Sequence, residues 1–167
     1  AENEKLLQGT ATKILDTPKT TPGIRALEKW AVVIGGGENH RFALYDMVML
    51  KDNHIDFAGG LHQAIDKTTS YLKQHDLDLK IIVEARDLYE VSEILKHHNI
   101  HRILLDNFSL EDTRKAVEMV GNQTKTESSG GINEENMRAY AECGVNYISS
   151  GALTHSIYNL DLSLKAI

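Results

Sequence analysis

The sequence predicts an α/β barrel of about six parallel strands. Three observations lead there. Short apolar runs alternate with helix-like segments along the chain, a rhythm that implies parallel pairing through right-handed crossovers. The run Ile103-Leu104-Leu105 is continuously apolar, as expected of a strand buried on both faces. Residues able to do chemistry sit at the carboxyl ends of successive runs: Lys19, Lys51, Glu84, Asp106, Ser129 and Gly151. That rim is where α/β barrels build their sites, whereas an open doubly wound sheet gathers such residues at one crevice.

The first run, Thr12-Lys13-Ile14-Leu15-Asp16, leads past Pro18 and Lys19 into a helix near 22–34, with Pro22 suited to its first turn. The second, Met47-Val48-Met49-Leu50-Lys51, precedes a helix near 57–75. The third, Lys80-Ile81-Ile82-Val83-Glu84, precedes a helix near 87–98. After the fourth, Arg102-Ile103-Leu104-Leu105-Asp106, Ser109 stands as a cap ahead of Glu111 and Asp112, and Gly121 stops a helix near 109–121. After the fifth, Lys125-Thr126-Glu127-Ser128-Ser129, Asn133 stands ahead of Glu134 and Glu135 and Gly144 ends a helix near 134–143. The sixth is Val145-Asn146-Tyr147-Ile148-Ser149. Six strands fall short of the usual eight; either the barrel is a smaller variant or strands are missing.

The 167 residues suffice for one domain with a sizeable core and are too few for two, so residues 1–167 read as one domain. A formal net charge of −6 argues against general nucleic-acid binding. No apolar run reaches the length of a membrane span, and the charged opening Ala1-Glu2-Asn3-Glu4-Lys5 does not read as a signal peptide. The single cysteine, Cys143, excludes an intrachain disulfide and fits a reducing, cytoplasmic compartment. Basic residues gather early, with Lys13, Lys19, Arg25, His40, Arg41 and Lys51 all in the first third.

Several segments carry chemistry. Lys19 and Arg25 supply cationic donors after the first strand, although on this segment alone a solvated loop lysine is the plainer reading of Lys19. In Gly35-Gly36-Gly37-Glu38-Asn39-His40-Arg41, glycines free the backbone just before an imidazole and a guanidinium, the group that binds planar carboxylates through two parallel bonds. Lys51 ends the second strand, where a rim lysine is desolvated unless it meets an anion and where a Schiff-base lysine would also stand. Glu84 and Asp106 end consecutive strands and should share one cavity, suiting Mg²⁺, ribose hydroxyls or a developing positive charge; an ion pair with Lys19 or Lys51 is the plainer alternative. Ser128-Ser129-Gly130-Gly131 and Ser149-Ser150-Gly151, the latter ahead of His155, read as a phosphate cup of late loops and a helix amino terminus. His97, His98 and His101 read as a solvated helix end and not as a metal site.

Five ordered motifs now resemble one family. Asp16-Thr17-x-Lys19-Thr20-Thr21-Pro22-Gly23-x-Arg25, Gly35-Gly36-Gly37-x-Asn39-His40-Arg41, Lys51-Asp52-Asn53-His54-Ile55, Glu127-Ser128-Ser129-Gly130-Gly131-Ile132 and Gly151-Ala152-Leu153-Thr154-His155 resemble quinolinate phosphoribosyltransferase from Gly9 onward. The resemblance implies an open, incomplete barrel of six or seven strands. It implies transfer of phosphoribose from phosphoribosyl pyrophosphate to quinolinate, giving nicotinate mononucleotide, pyrophosphate and carbon dioxide in NAD biosynthesis. Mg²⁺ and a homodimer or higher homo-oligomer are implied with it. Lys19, His40, Arg41 and Lys51 resemble the residues that hold the quinolinate carboxylates. Glu84 and Asp106 resemble those serving ribose and Mg²⁺, directly or through water, so that Lys51, Glu84 and Asp106 are the expected catalytic set. Ser129, Gly130, Gly151 and His155 resemble the phosphate-site residues.

Two departures bear on this. Pro18 stands where the family usually has arginine, and proline carries neither charge nor backbone donor. The chain also begins where the barrel begins, so the family's amino-terminal sandwich domain is expected to be absent and the fragment impaired, since that domain completes the neighbouring subunit's site. Competing readings are a phosphoribosyltransferase for another nitrogenous acid such as nicotinate, a lysine aldolase or lyase, and a non-catalytic barrel binding sugar phosphates.

Overall fold

Six strands, all parallel, form one sheet in the computed structural model of the chain, which describes residues 5–155. They are β1 (Lys13–Leu15), β2 (Val48–Leu50), β3 (Ile81–Ala85), β4 (Arg102–Asp106), β5 (Lys125–Ser129) and β6 (Tyr147–Ser149). The order is β1-β6-β5-β4-β3-β2, so strands β2 to β6 pair in sequence order and β6 returns to β1. The two strands nearest the amino terminus, β1 and β2, do not pair with each other, which leaves the barrel open between them. Two contacts reach into that opening. Glu38 makes a single parallel bridge to Leu15 on the free side of β1, and the Arg41 guanidinium donates to the Met47 carbonyl at 3.2 Å, just ahead of β2.

The helices are α1 (Arg25–Ile34), α2 (Asp52–Ala58), α3 (Leu61–Gln74), α4 (Leu88–Ile94), α5 (Leu110–Val120), α6 (Met137–Ala141) and α7 (Ala152–His155). The helix expected near 57–75 is in fact two. Gly59 takes φ +94° and Gly60 φ +133°, and their N–H groups close α2 onto the carbonyls of Asp56 and Ile55, a left-handed stop that only glycine adopts without strain. Pro22 is not in a first helical turn, because α1 starts at Arg25. The turn before it is held from inside the helix, where the Glu28 carboxylate accepts the Thr21 N–H at 2.9 Å and the Thr21 hydroxyl at 2.7 Å. Asn133 caps a turn rather than a helix: its side-chain oxygen accepts the N–H groups of Glu135 and Asn136, and α6 follows at Met137. Ser109 does cap α5, accepting the Asp112 N–H at 3.1 Å. Asp87 caps α4 in the same way, accepting from Glu90 at 2.8 Å.

Strand side chains alternate between two environments. One face packs beneath the helices in a large apolar cluster that includes Ile14, Leu50, Ile81, Val83, Ile103, Leu105 and Ile148, all buried. The other face carries only a small apolar cluster, Met49, Ile82 and Leu104, with Met47 against it. Leu104 thus differs in environment from both neighbours, which explains why the β4 run is apolar throughout. Apart from the buried Leu15 on β1, the inner face is otherwise largely polar.

Candidate active site at the open end of the barrel

A cavity of about 670 Å³ opens at the carboxyl ends of the strands. Lys19, His40, Arg41, Lys51, Glu84, Asp106, Ser129, Gly130, Gly151 and His155 all line it. Strand-end placement brings these ten together from loops that are far apart in sequence. Ser149 and Ser150 of the expected phosphate cup line it as well, and so do Thr17, Asn107, Glu127 and Asn133, which were not among the expected site residues.

The first wall is anchored from below. Asp16, fully buried at the end of β1, accepts from the Lys29 ammonium at 2.8 Å and from the His40 backbone N–H at 2.7 Å. The Lys29 ammonium also donates to the His40 carbonyl at 3.3 Å. Burial pushes the Asp16 carboxyl above its ordinary range, against the opposing pull of Lys29 and the His40 N–H. This hub fixes the segment after the three glycines, so that His40 and Arg41 reach the cavity. Arg25 does not line the cavity. It laces two loops together, donating to the Thr20 hydroxyl, the Pro18 carbonyl and the Phe42 carbonyl.

Within this wall two buried nitrogens, Arg41 Nε and His40 Nε2, have no hydrogen-bond partner among the described residues. An orphaned buried donor is costly unless a ligand or water completes it. Desolvation lowers the Arg41 pKa from its ordinary value, only partly countered by Asp46. Lys51 differs from expectation: its side chain is 49% exposed at the rim, so it is not desolvated.

The opposite wall carries the carboxylates. Glu84 on β3 and Asp106 on β4 point into the same cavity. Burial first, and then the charge of Asp106, push the Glu84 carboxyl above its ordinary range, while Lys51 pulls it down. Lys51 Nζ lies 3.9 Å from Glu84 Oε2, so the ion pair weighed against a functional role exists, loosely, inside the site. Asp106 Oδ2 accepts from the Asn107 side-chain amide at 2.9 Å.

The late loops form a glycine-lined floor. Gly130 takes φ +96°, and a Cβ there would meet the Asn107 side chain at 2.2 Å; one on Gly151 would meet the His155 ring at 2.5 Å. Side chains tie these loops together. The Ser150 hydroxyl donates to the Ile132 carbonyl at 2.7 Å, and the Thr154 hydroxyl donates to the Lys19 carbonyl at 2.8 Å. Because α6 begins only at Met137, it is the loop with Asn133, not a helix terminus, that borders the cavity after β5.

Deeper on the inner face, Glu127 is fully buried and accepts from Arg102 at 2.6 Å. Arg102 in turn lies over the Tyr147 ring, 4.2 Å from its centroid. Burial opposes the Glu127 charge, but His40, Arg102 and Ser149 outweigh it and hold the carboxyl below its ordinary range. Strand parity could have singled out Glu127, since it lies two residues before Ser129 on the same face. The histidine cluster departs from expectation at one point. His97 is not solvated but bonded to His62, ring nitrogen to ring nitrogen at 2.7 Å, with Glu93 beyond at 2.9 Å. Among the described residues no group of three or more His, Cys, Asp or Glu side chains is placed to hold a metal ion.

Comparison with known proteins agrees with this geometry. A family model described as quinolinate phosphoribosyl transferase, C-terminal domain, matches residues 1–165. The chain is 46% identical, across 91% of its length and 48% of the relative's, to the chloroplastic carboxylating nicotinate-nucleotide pyrophosphorylase of Arabidopsis thaliana. It is 40% identical, across 98% of its length and 55% of the relative's, to the probable carboxylating nicotinate-nucleotide pyrophosphorylase of Bacillus subtilis. The crystal structure of nicotinate-nucleotide pyrophosphorylase from Ehrlichia chaffeensis superposes with a TM-score of 0.89 at 41% identity, covering 96% of this chain and 57% of that one. The chain therefore spans about half the length of the curated relatives it matches. A match along nearly its whole length places this chain in the quinolinate phosphoribosyltransferase family, as the C-terminal barrel domain.

Proposed function

We propose that the protein carrying this chain transfers phosphoribose from phosphoribosyl pyrophosphate to quinolinate with loss of carbon dioxide, forming nicotinate mononucleotide and pyrophosphate for NAD biosynthesis. One observation carries the reading: one cavity sets Lys19, Arg41 and Lys51, with the buried Arg41 Nε unpartnered among the described residues, opposite Glu84 and Asp106, above glycine-lined loops. A dianionic acid and a polyphosphate both need donors and cations. The sugar carbon, in contrast, gains positive charge as pyrophosphate leaves and needs carboxylates.

Lys19, Arg41 and Lys51 bind the two carboxylates of quinolinate and so orient its ring nitrogen toward the sugar, with His40 supporting Arg41 in the same wall. Arg41 Nε is the buried donor best matched to a carboxylate oxygen. Glu84 and Asp106 hold the ribose hydroxyls and face the developing charge. Ser129, Gly130, Gly151 and His155 receive the phosphate. The nitrogen lone pair forms the bond to the sugar carbon as the carbon–oxygen bond to pyrophosphate breaks. The ring nitrogen is then cationic, and it accepts the electron pair left when the adjacent carboxylate departs; a proton completes the product.

The residues fit Mg²⁺ held in its usual way, by one or two carboxylates with water and substrate phosphate completing the shell. The upward shift of Glu84 beside Asp106 marks a pair that a cation would relieve. Glu84 and Asp106 would hold it, directly or through water, and it would supply charge neutralisation at the pyrophosphate. A homodimer or higher homo-oligomer belongs to the same reading. Its support is the exposed apolar face of α1, where Leu27, Trp30 and Ile34 are 61%, 65% and 71% exposed. A cytoplasmic location rests on Cys143, a buried free thiol. Among the described residues no helix is long and apolar enough to cross a membrane.

The test is release of carbon dioxide from quinolinate labelled at the carboxylate next to the nitrogen, in the presence of phosphoribosyl pyrophosphate and Mg²⁺. It should be run on this chain and on this chain joined to the amino-terminal half of the Bacillus subtilis relative. Release that requires both substrates is expected from the joined protein, with less from the chain by itself. No release from either protein, although both are folded, would overturn the assignment.

A further inference from the structure

The donor that the Arg41 guanidinium offers to a ligand depends on where the Arg41 backbone sits. That backbone is held from an unexpected direction. The Arg41 N–H donates to Nδ1 of His40 at 2.7 Å, so Nδ1 carries a lone pair and not a proton. The other ring nitrogen, Nε2, lies 3.5 Å from Glu127 Oε1, and neither atom has a hydrogen-bond partner among the described residues. Both side chains are almost fully buried.

Only one protonation state suits both ends of the ring. With the proton on Nδ1, two N–H groups would oppose each other at Arg41, and a bare Nε2 would face a carboxylate oxygen. With both nitrogens protonated, the clash at Arg41 would remain. Arg102 donates to the other oxygen of Glu127 at 2.6 Å, so the free oxygen has the His40 Nε2 proton facing it as its donor and needs nothing more from the ring. The remaining charged groups around His40 are matched as well. Asp16 at the end of β1 accepts the His40 N–H, and Lys29 on α1 donates to the His40 carbonyl and to Asp16.

We propose that Glu127 fixes the His40 proton on Nε2, leaving Nδ1 to accept the Arg41 N–H, and that His40 in this form orients Arg41 for ligand binding, which makes Glu127 a positioning residue for Arg41. The protonation state stands on contacts within the barrel; the consequence for ligand rests on the quinolinate reading above. Under this arrangement the positive charge at the acid-binding wall comes from Lys19, Arg41 and Lys51, and His40 contributes none.

The test reads the ring directly. Nitrogen NMR of the chain at neutral pH, with the His40 signals assigned by their loss in His40→Asn, should show one neutral tautomer protonated on Nε2. A ring protonated on Nδ1, or on both nitrogens, would overturn the proposal. Glu127→Gln should change the tautomer. Arginine can only donate, so the amide introduced by this substitution must turn its oxygen to Arg102 and its nitrogen to His40, where an Nε2 proton no longer fits. A folded Glu127→Gln chain with the wild-type tautomer would remove Glu127 from the account. If that variant does not fold, ligand affinity decides the same point through His40. The Asn oxygen in His40→Asn can still accept the Arg41 N–H, so quinolinate affinity should fall clearly less than in a variant with no acceptor there. His40→Leu should bind it weaker by on the order of tenfold or more. Equal losses in the two would show that His40 does not act through Arg41. If quinolinate does not bind even to the wild-type chain, the functional reading fails, and the tautomers still decide the role of Glu127.

Discussion

The two faces of this sheet have opposite compositions although every strand supplies both. On the helix side, Ile14, Ile81, Val83, Ile103, Leu105 and Ile148 form part of one continuous apolar core. On the inner side only Met49, Ile82 and Leu104 cluster, while Arg102, Glu127, Glu84 and Asp106 occupy positions between and above them. The difference follows from what covers each face. Helices bring apolar stripes to the outside, and hydrophobic burial there stabilises the fold. The inside of an incomplete barrel remains reachable by solvent and ligand at its open end, so polar groups placed there can act on a ligand. Period-2 alternation therefore separates stability from chemistry residue by residue.

The largest expected effect would break that division. Arg102→Leu removes the ion-pair partner of the buried Glu127 carboxylate, and leaving a buried charge unpaired costs about 3–5 kcal/mol. Chemical denaturation should show a loss of that order at neutral pH, making this inner residue as important to folding as any outer one. A loss near zero would mean that Glu127 takes up a proton or finds water. Leu105→Ala on the outer face should cost about 2–5 kcal/mol through lost burial and a cavity. In the joined, full-length protein its turnover per folded molecule should be unchanged, and a change would show that the faces communicate.

Glu84→Gln sharpens the comparison from the other side. It should lower turnover by about 10²-fold in the joined protein, the scale of one preorganised electrostatic group, with little loss of stability. Lys51→Ala should weaken quinolinate binding on the order of tenfold. Half-exposed, Lys51 costs the fold little, and calorimetry with unchanged affinity would remove it from the acid site.

The smallest effect lies in the pH dependence of stability. Glu84 is shifted upward, so the folded state binds its proton more tightly than the unfolded state. Its charge therefore destabilises the fold progressively as pH rises from the unfolded carboxylate range through the folded value. Glu127 is shifted downward, so its contribution is present above the unfolded carboxylate range and is lost as pH falls through the folded value. Thermal midpoints across acidic pH should therefore fall less on the alkaline side for Glu84→Gln than for wild type. Identical curves would mean that Asp106 and burial do not act on Glu84 as inferred.

Much of the fold and the site was legible because local rules govern both. Apolar runs located five strands, the recurring rhythm placed β5 although Lys125–Ser129 holds no apolar residue, and the rim residues at their ends converged on one cavity because parallel strands present their carboxyl ends together. The misses have physical causes. Gly59-Gly60 broke an expected helix, since a left-handed pair outweighs the helical pattern on either side. Glu28 reached back to hold Thr21, so α1 began at Arg25 and Pro22 stayed outside it. Lys51 turned out half-exposed, because solvent access depends on how far the opening extends.

By itself the sequence determined the alternation of elements, the parallel sheet, the rim set and the family motifs, because spacing, capping and glycine placement act over a few residues. Only the tertiary structure decided which strands remain unpaired, that Arg41 reaches Met47 across the opening, and that Glu127 on β5 stands against His40 from a loop far earlier in the chain. The His40–Glu127 contact joins residues separated by most of the barrel, and the Arg41–Met47 contact depends on where the sheet stays open. Their geometry is fixed by the curvature of the sheet and by which buried charges must meet, and no local pattern records either.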